Sequence, residues 1–210
     1  MRLYFIRHGE TDWNQVKRLQ GKSDIPLNEF GEHLAIETGE ALKDVRFDLV
    51  YTSPLKRARK TAELVAGERD IPILDEPRIE EMGFGIYEGL ICKEGASEIQ
   101  DPEFFHFFHA PEKYHPPKGG ESFEEVLART NDFLEEIRND PAHAEQTILV
   151  STHGAALCAL LCNIKGKTVK DFWGTGVHKN CAVTIVDVTP EAYRILEEGK
   201  TYYKEEVKPW

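Results

Sequence analysis

The chain has 210 residues, of which 26 are Lys or Arg and 37 are Asp or Glu, so its formal net charge is −11. This length supports one domain with a sizeable core, and a hydrophobic share of 40% is typical of a globular rather than a disordered protein. The acidic balance argues against a general nucleic-acid binder, which needs a cationic surface to displace counterions from phosphates. A small anionic ligand stays compatible with it, because a few clustered cations can lie within an acidic total.

Apolar segments and cysteines indicate the compartment. The N-terminal apolar run, residues 3–6, is too short for a signal-peptide core or a membrane span, and no other stretch approaches membrane length. The four cysteines lack the paired spacing of a zinc site, which favours reduced, buried thiols. We therefore expect a cytoplasmic protein with no membrane, metal or cofactor partner.

Short apolar runs alternate with longer amphipathic segments along the chain. The expected strands are residues 3–6, 47–51, 147–150, 182–188 and 192–196. The expected helices are residues 29–42, 54–66, 123–139 and 155–161. Asn28, Ser53 and Ser122 stand at N-cap positions, Pro54 suits a first helical residue, and Glu125 completes a capping box with Ser122. This alternation predicts a three-layer αβα sandwich, an α/β fold whose central sheet is mostly parallel.

In such sheets, ligands bind beyond the carboxyl ends of the strands. Arg7 and His8 follow the first expected strand, Arg57 comes soon after the second, and His153 follows the third. Two guanidiniums and two imidazoles at one point would repel each other unless an anion lay between them. The planar guanidinium donates two parallel hydrogen bonds and suits phosphate, so these residues predict a phosphate site.

The chain has no Walker-type glycine-rich loop, and His8 suggests covalent catalysis instead. A neutral imidazole nitrogen would attack phosphorus and give a phosphohistidine that water later hydrolyses. Arg7, Arg57 and His153 would hold the phosphoryl oxygens. The leaving alkoxide needs a proton, and residues 79–89 contain the candidate acids.

Several segments in order carry a family resemblance. They are residues 7–11 (RHGET), 20–31 (with Gln20, Gly21, Asp24, Pro26, Leu27 and Gly31), 53–62, 81–89, 119–122 and 152–154. Together they resemble the signature motifs of the histidine phosphatase (phosphoglycerate mutase-like) superfamily. RHG alone would be weak, but five ordered motifs, with residues 20–31 as the segment that follows the first, make coincidence a poor explanation. The resemblance implies the phosphoglycerate mutase-like fold.

The resemblance also implies roles at matching positions. His8 would be the phosphorylated nucleophile, and Glu81, favoured over Glu80 by its spacing to Phe84 and Gly85, would be the proton donor. The residues that would bind the phosphoryl group or substrate are Arg7, His8, Asn14, Gln20, Gly21, Arg57, Glu81, His153 and Gly154. Tyr87 and His33 depart from the common Trp and Gln of the family, and neither has an implied catalytic role.

Three functions are compatible with these motifs. Gln20-Gly21-Lys22 stands where the cofactor-dependent mutases usually have a Gly-Trp pair, which favours a metal-independent phosphatase acting on a small phosphomonoester. A phosphoglycerate mutase would instead return the phosphoryl group to the sugar acid and need a phosphorylated priming cofactor. A silent phospholigand-binding module is the third, and the complete set of nucleophile, second His, two Arg and acid argues against it.

We interpret residues 1–210 as a single domain with residues 90–120 inserted as a lid. The run Phe104 to Phe108 in this insertion would contact the organic part of the substrate or pack as a satellite cluster, with even support for each. His106 and His109 are better explained as structural residues than as metal ligands. The sequence leaves the oligomeric state open, a homodimer included.

Overall fold

The computed structural model describes residues 1–93 and 95–207, so Glu94 of the expected lid and residues 208–210 of the expected domain lie outside the described residues. The strands are β1 (Arg2–Arg7), β2 (Leu49–Thr52), β3 (Ile73–Asp75), β4 (Thr147–Thr152), β5 (Val183–Val188) and β6 (Tyr193–Lys200). The helices are α1 (Asp12–Gln15), α2 (Glu29–Ala41), α3 (Lys56–Ala66), α4 (His106–His109), α5 (Phe123–Asn139) and α6 (Gly154–Ile164). Short 3₁₀ turns lie between several of them.

The six strands form one sheet in the order β3-β2-β4-β1-β5-β6. Strands β1 to β4 pair in parallel, and β5 and β6 continue the sheet by antiparallel pairing. The predicted α/β class with a mostly parallel sheet is confirmed. Because β1 and β4 are neighbours, with Arg7 opposite Thr152, the residues after these strands come together at one edge of the sheet.

Alternation along the strands supplies two cores. Tyr4 and Ile6 of β1 face helices α2 and α3, in a cluster that includes Leu34, Ala35, Ala62 and Val65. Leu3 and Phe5 face the opposite side, where they join Phe133, Leu134, Leu157 and Leu160 of α5 and α6. Successive strand residues point to opposite faces of a sheet, so β1 is buried on both sides.

The predicted helix starts are right at two positions and wrong at one. Asn28 accepts from the Gly31 N–H, and Ser122 forms the capping box with Glu125. Ser53 does not cap α3, which begins at Lys56 after the N-cap Leu55. The Ser53 hydroxyl lies 2.7 Å from His153 Nε2 and accepts from the Leu55 N–H at 3.3 Å, in a bend that precedes the helix.

A third cluster lies beside the sheet and includes much of the expected lid. Phe104, Phe107 and Tyr114 pack there against Phe123 at the start of α5 and Phe172 beyond α6. The aromatic run therefore joins the insertion to the rest of the fold, and the description of the insertion as a lid stays a prediction.

None of the helices in the described part of the chain has the length and apolar character needed to span a bilayer.

Candidate active site

A cavity of about 370 Å³ opens at the carboxyl ends of β1 and β4. Most of the residues selected from the sequence line it. They are Arg7, His8, Asn14, Gln20, Gly21, Arg57, Glu81 and Gly154. His153 lies directly behind this wall, with its ring centroid 5.1 Å from that of His8. The strands thus bring together side chains that are up to 147 positions apart in sequence, counted from Arg7 to Gly154.

The His8 ring is fixed by the chain around it. Its Nδ1 lies 2.6 Å from the Gly9 carbonyl oxygen, so Nδ1 carries a proton and Nε2 is the unprotonated nitrogen of the neutral ring. Asn180 donates to the His8 carbonyl at 2.9 Å and holds the main chain. Burial, together with the charges of Arg57 and Arg7, places the pKa of His8 well below its usual range. A neutral imidazole with a free Nε2 is the form that a nucleophile requires.

The loop after His8 crosses the start of α2 at close range. A Cβ atom on Gly31 would lie 2.1 Å from the Glu10 carbonyl oxygen, and one on Gly9 would lie 2.5 Å from the Gly31 oxygen. Only glycine fits at these two positions, because real Cβ contacts are never this short. This close crossing explains why residue 31 is glycine, although it lies far from His8 in sequence.

His153 is engaged on both ring nitrogens. Its Nδ1 accepts from Arg57 Nε at 3.1 Å, and its Nε2 lies 2.7 Å from the Ser53 hydroxyl. The ring is fully buried, and burial, followed by the Arg57 charge, lowers its pKa well below the usual range. His153 is therefore neutral and, in this structure, hydrogen-bonded within the protein.

Arg57 is buried and fixed by three hydrogen bonds. Besides the bond to His153, Nη1 donates to the Ser23 carbonyl at 2.8 Å and Nη2 to the Gly21 carbonyl at 2.7 Å. Burial lowers the pKa of Arg57 to about 10, which still leaves it cationic at neutral pH. The guanidinium thus fixes the main chain of Gly21 and Ser23 beside the cavity.

Arg7 and Asn14 line the cavity, and each has a buried donor without a partner among the described residues. Arg7 Nη1 donates to the His178 carbonyl at 2.6 Å, while its buried Nε has no hydrogen-bond partner among the described residues. The Asn14 oxygen accepts from Thr11, which leaves the buried Asn14 Nδ2 likewise without a partner in residues 1–93 and 95–207. Unpaired buried donors are costly unless a ligand accepts from them, so this wall suits an anion.

Gln20 differs from these donors. Its Oε1 is buried and lacks a partner in the described part of the chain. A carbonyl oxygen accepts hydrogen bonds, so it suits a hydroxyl of the substrate or a protonated phosphate oxygen rather than an ionised one.

Glu81 reaches the cavity and Glu80 does not. Glu81 Oε1 accepts from the N–H groups of Met82 at 2.9 Å and of Ala155 and Ala156 at 3.1 Å each. Oε2 makes one longer contact, 3.3 Å to the Ala155 N–H. Glu80 instead lies 3.8 Å from Lys22 Nζ. The start of α6 therefore holds one oxygen of Glu81 and leaves Oε2 as the oxygen available for proton transfer.

Comparisons with known proteins agree with this geometry. The profile of the histidine phosphatase superfamily (branch 1) matches residues 3–201. The chain belongs to this superfamily. Phosphoserine phosphatase 1 of Hydrogenobacter thermophilus is 34% identical over 197 residues, which cover 94% of this chain and 91% of that protein. A probable phosphoglycerate mutase, GpmB of Photorhabdus laumondii, is 36% identical over 166 residues, 79% of this chain and 75% of that one.

A solved structure extends the likeness to the fold. Bacillus stearothermophilus YhfR is 34% identical, with a TM-score of 0.87 over 95% of this chain and 97% of that one. The predicted family is confirmed. The predicted enzyme class, a phosphatase, is confirmed as well. The role of each residue stays a prediction.

Apart from Thr175, the rest of the cavity in this histidine phosphatase is lined by apolar side chains and glycine. Phe107, Phe108 and Trp173 form one wall, and Trp173 Nε1 donates to the Phe107 carbonyl at 2.6 Å. Phe107 and Phe108 also pack in the satellite cluster with Phe104 and Tyr114, so packing accounts for the whole run and contact with a substrate stays a prediction. Leu19, Phe84 and Val177 also line the cavity. No spacing in the sequence marks these three, because distant segments bring them together.

Among the described residues, no group of three or more His, Cys, Asp or Glu side chains is placed to hold a metal ion. His106 lies 3.4 Å from Glu103 in its own turn. The Cys158 and Cys162 thiols are free and buried on α6, as expected from their spacing.

Proposed function

We propose that this protein hydrolyses phosphomonoesters with His8 as the phosphorylated nucleophile. The observation that carries the proposal is the fixed, neutral His8 ring, whose Nδ1–H is bound by the Gly9 carbonyl beside two arginines. Nε2 would attack phosphorus as the P–O bond to the leaving group breaks. Arg7 Nε, Asn14 Nδ2 and the Gly154 N–H would hold phosphoryl oxygens, and Arg57 would neutralise their charge.

Glu81 would act in both halves of the reaction. Protonated on Oε2, it gives this proton to the leaving alkoxide as the phosphohistidine forms. As a carboxylate, it then takes a proton from the water that attacks the phosphohistidine, which releases phosphate and restores both residues. The single, longer hydrogen bond at Oε2 supports this assignment.

His153 would bind the phosphoryl group by giving up its hydrogen bond to the Ser53 hydroxyl. Its Nε2 carries the ring proton, because Nδ1 accepts from Arg57. That proton is directed at the Ser53 hydroxyl, and a phosphoryl oxygen would replace this acceptor. Bound phosphate would then be held by His153 as the sequence motifs imply.

The cavity wall favours a substrate with an apolar or ring-bearing leaving group. Beyond Arg7, His8, Arg57 and Glu81, every lining residue is uncharged. Among the described residues that line the cavity, the carboxylate of 3-phosphoglycerate would find no cation that is not needed for phosphate, which supports hydrolysis over mutase activity. Burial of apolar surface contributes about 25 cal/mol per Å² to the free energy of binding. A substrate whose ring packs on this wall would therefore bind more tightly than one without a ring.

We also propose that the enzyme works in the cytoplasm on a small metabolite rather than on nucleic acid. Four free, buried cysteines and a net charge of −11 support this. A homodimer stays a prediction.

The decisive experiment traps the intermediate. The protein is mixed with ³²P-labelled phenyl phosphate in the presence of a chelator and quenched in alkali, where phosphohistidine is stable. We expect label on His8 in the native protein and none in His8→Asn. Full turnover by His8→Asn would overturn the proposal. A parallel assay of 3-phosphoglycerate with and without its bisphosphate separates phosphate release from isomerisation.

A further inference from the structure

Glu81 lies in a segment that is not held by the regular backbone hydrogen bonds of a helix or a sheet. Residues 80–83 belong to no helix or strand. Backbone polar groups in such a segment need partners elsewhere if the segment is to keep one shape. The carboxyl of Glu81 can protonate a leaving group only within hydrogen-bond reach, so the shape of this segment matters for the reaction.

One side chain binds the carbonyl groups of this segment. Arg129, in the middle of α5, donates from Nη1 to the Arg78 carbonyl at 2.7 Å and to the Glu80 carbonyl at 2.8 Å. Its Nη2 donates to the carbonyl of Glu81 itself at 3.2 Å. Three carbonyl groups around the acid therefore share one guanidinium.

Glu121 completes this arrangement from the other side. It pairs with Arg129 through both oxygens, at 3.0 Å to Nε and 3.2 Å to Nη2, and it accepts from the Gly83 N–H at 2.8 Å. The two side chains are only 17% and 18% exposed. Although burial alone would raise it, the pKa of Glu121 is lowered by hydrogen bonds from Arg129 and Gly83 and by the Arg129 charge. The pair is therefore ionised, and charge-assisted bidentate bonds of this kind are strong.

We propose that Arg129, oriented by Glu121, is a positioning residue that sets the reach of the Glu81 carboxyl into the cavity. Neither Arg129 nor Glu121 lines the cavity. Both act through the main chain, by holding the carbonyl groups before the acid and the N–H group after it. The inference rests on the proposed role of Glu81 as proton donor.

A displaced acid has a specific kinetic signature. An alkyl phosphate has a strongly basic leaving group and depends on proton donation, whereas p-nitrophenolate leaves without a proton. Arg129→Lys keeps the charge but loses the planar fork that binds several carbonyl groups. We expect kcat/KM for an alkyl phosphate to fall by about 10- to 100-fold, the range associated with ångström-scale misplacement. The burst of p-nitrophenolate that accompanies phosphorylation of His8 should change little.

The test is a double-mutant cycle between Arg129→Lys and Glu81→Gln, with both substrates. We expect Arg129→Lys to lower alkyl phosphate turnover in the native background and to have no further effect in Glu81→Gln, because both changes remove the same function. Additive losses in kcat/KM for the alkyl phosphate, or equal losses in that kcat/KM and in the rate of the p-nitrophenolate burst, would overturn the inference. Both quantities report phosphorylation of His8 alone, before the hydrolysis step that the two substrates share. Arg138→Lys on the same helix is the matched control, since Arg138 is exposed to a similar extent, 22%, and pairs with Glu135 on its own helix.

Two further measurements keep the outcomes separable. Glu121→Gln tests the same support without altering Arg129, and it decides the matter if Arg129→Lys does not fold. If Glu81→Gln itself shows no dependence on the leaving group, the proposed acid is wrong. If Glu81→Gln shows it and neither Arg129→Lys nor Glu121→Gln does, the positioning role alone is wrong.

Discussion

Arg57 Nε and His153 Nδ1 are joined by a hydrogen bond of 3.1 Å. The bond fixes the tautomer of His153, whose remaining ring proton lies on Nε2. His8 has the opposite tautomer, because its Nδ1 proton is bound by the Gly9 carbonyl. Two neighbouring imidazoles thus offer a lone pair on Nε2 in one ring and a proton on Nε2 in the other. This pairing suits attack by His8 and donation by His153.

The Ser53 hydroxyl should compete with phosphate for His153. In Ser53→Ala the buried Nε2–H loses its acceptor, and an unsatisfied buried donor costs about 1–3 kcal/mol. We expect a lower free energy of unfolding without ligand and tighter binding of inorganic phosphate, measured by denaturant unfolding and calorimetry. Ser97→Ala, in the insertion, removes hydrogen bonds to Ile91 and Ile99 and should lower stability, but it should leave phosphate binding unchanged. Unaltered stability together with weaker phosphate binding would contradict this exchange of partners.

The buried histidines should make the ligand-free protein sensitive to mild acid. Burial and the Arg57 charge lower the pKa values of His8 and His153, so below about pH 6.5 the unfolded chain binds protons that the native protein does not. Stability is then complete above pH 6.5 and falls as the pH drops, by about 1.4 kcal/mol per pH unit for each histidine. Phosphorylation of His8 should persist in this range, because its ring stays neutral.

Urea unfolding at pH 7.5, 6.5, 5.5 and 5.0 checks this dependence on pH. His8→Asn removes one titrating group. The slope of the free energy of unfolding against pH should therefore fall by the contribution of about one proton, about 1.4 kcal/mol per pH unit. His33→Asn is the control, since His33 is half-exposed beside Glu205. The same slope in His8→Asn and the native protein would show that His8 does not titrate as stated.

The accuracy of the sequence predictions follows the range of the interactions. Asn28 and Ser122 were predictable as caps because their partners lie three residues away. Ser53 was not, because its partner His153 is 100 positions distant. β3 escaped prediction because a three-residue edge strand leaves little pattern.

The residues of the candidate site also fall into those that the sequence could predict and those that it could not. Arg7, His8, Arg57 and His153 could be found because strand ends converge in a parallel sheet. The support given by Arg129 could not, since it depends on where α5 lies against residues 78–83. Trp173 on the cavity wall likewise depends on the contact between the segment after α6 and the expected lid.

The aromatic wall should set substrate preference through particular residues of the Phe104–Phe108 run. Phe108 and Phe105 both pack against the satellite cluster, but of the two only Phe108 lines the cavity. Phe108→Ala removes apolar surface from the place where a ring-bearing leaving group would lie. Burial of an aromatic side chain contributes about 1.5–3 kcal/mol, so we expect the ratio of kcat/KM for phenyl phosphate over glycerol phosphate to fall about tenfold or more.

Phe105→Ala is the matched control for Phe108, from the same segment and of the same size. It should lower stability, because it removes packing in the satellite cluster, and leave the substrate ratio near that of the native protein. An equal fall in the ratio for both variants would mean that the insertion acts through its overall packing rather than through direct contact. A ratio unchanged in Phe108→Ala would exclude Phe108 as a determinant of specificity, and preference would then have to come from Phe107, Trp173 or Gln20.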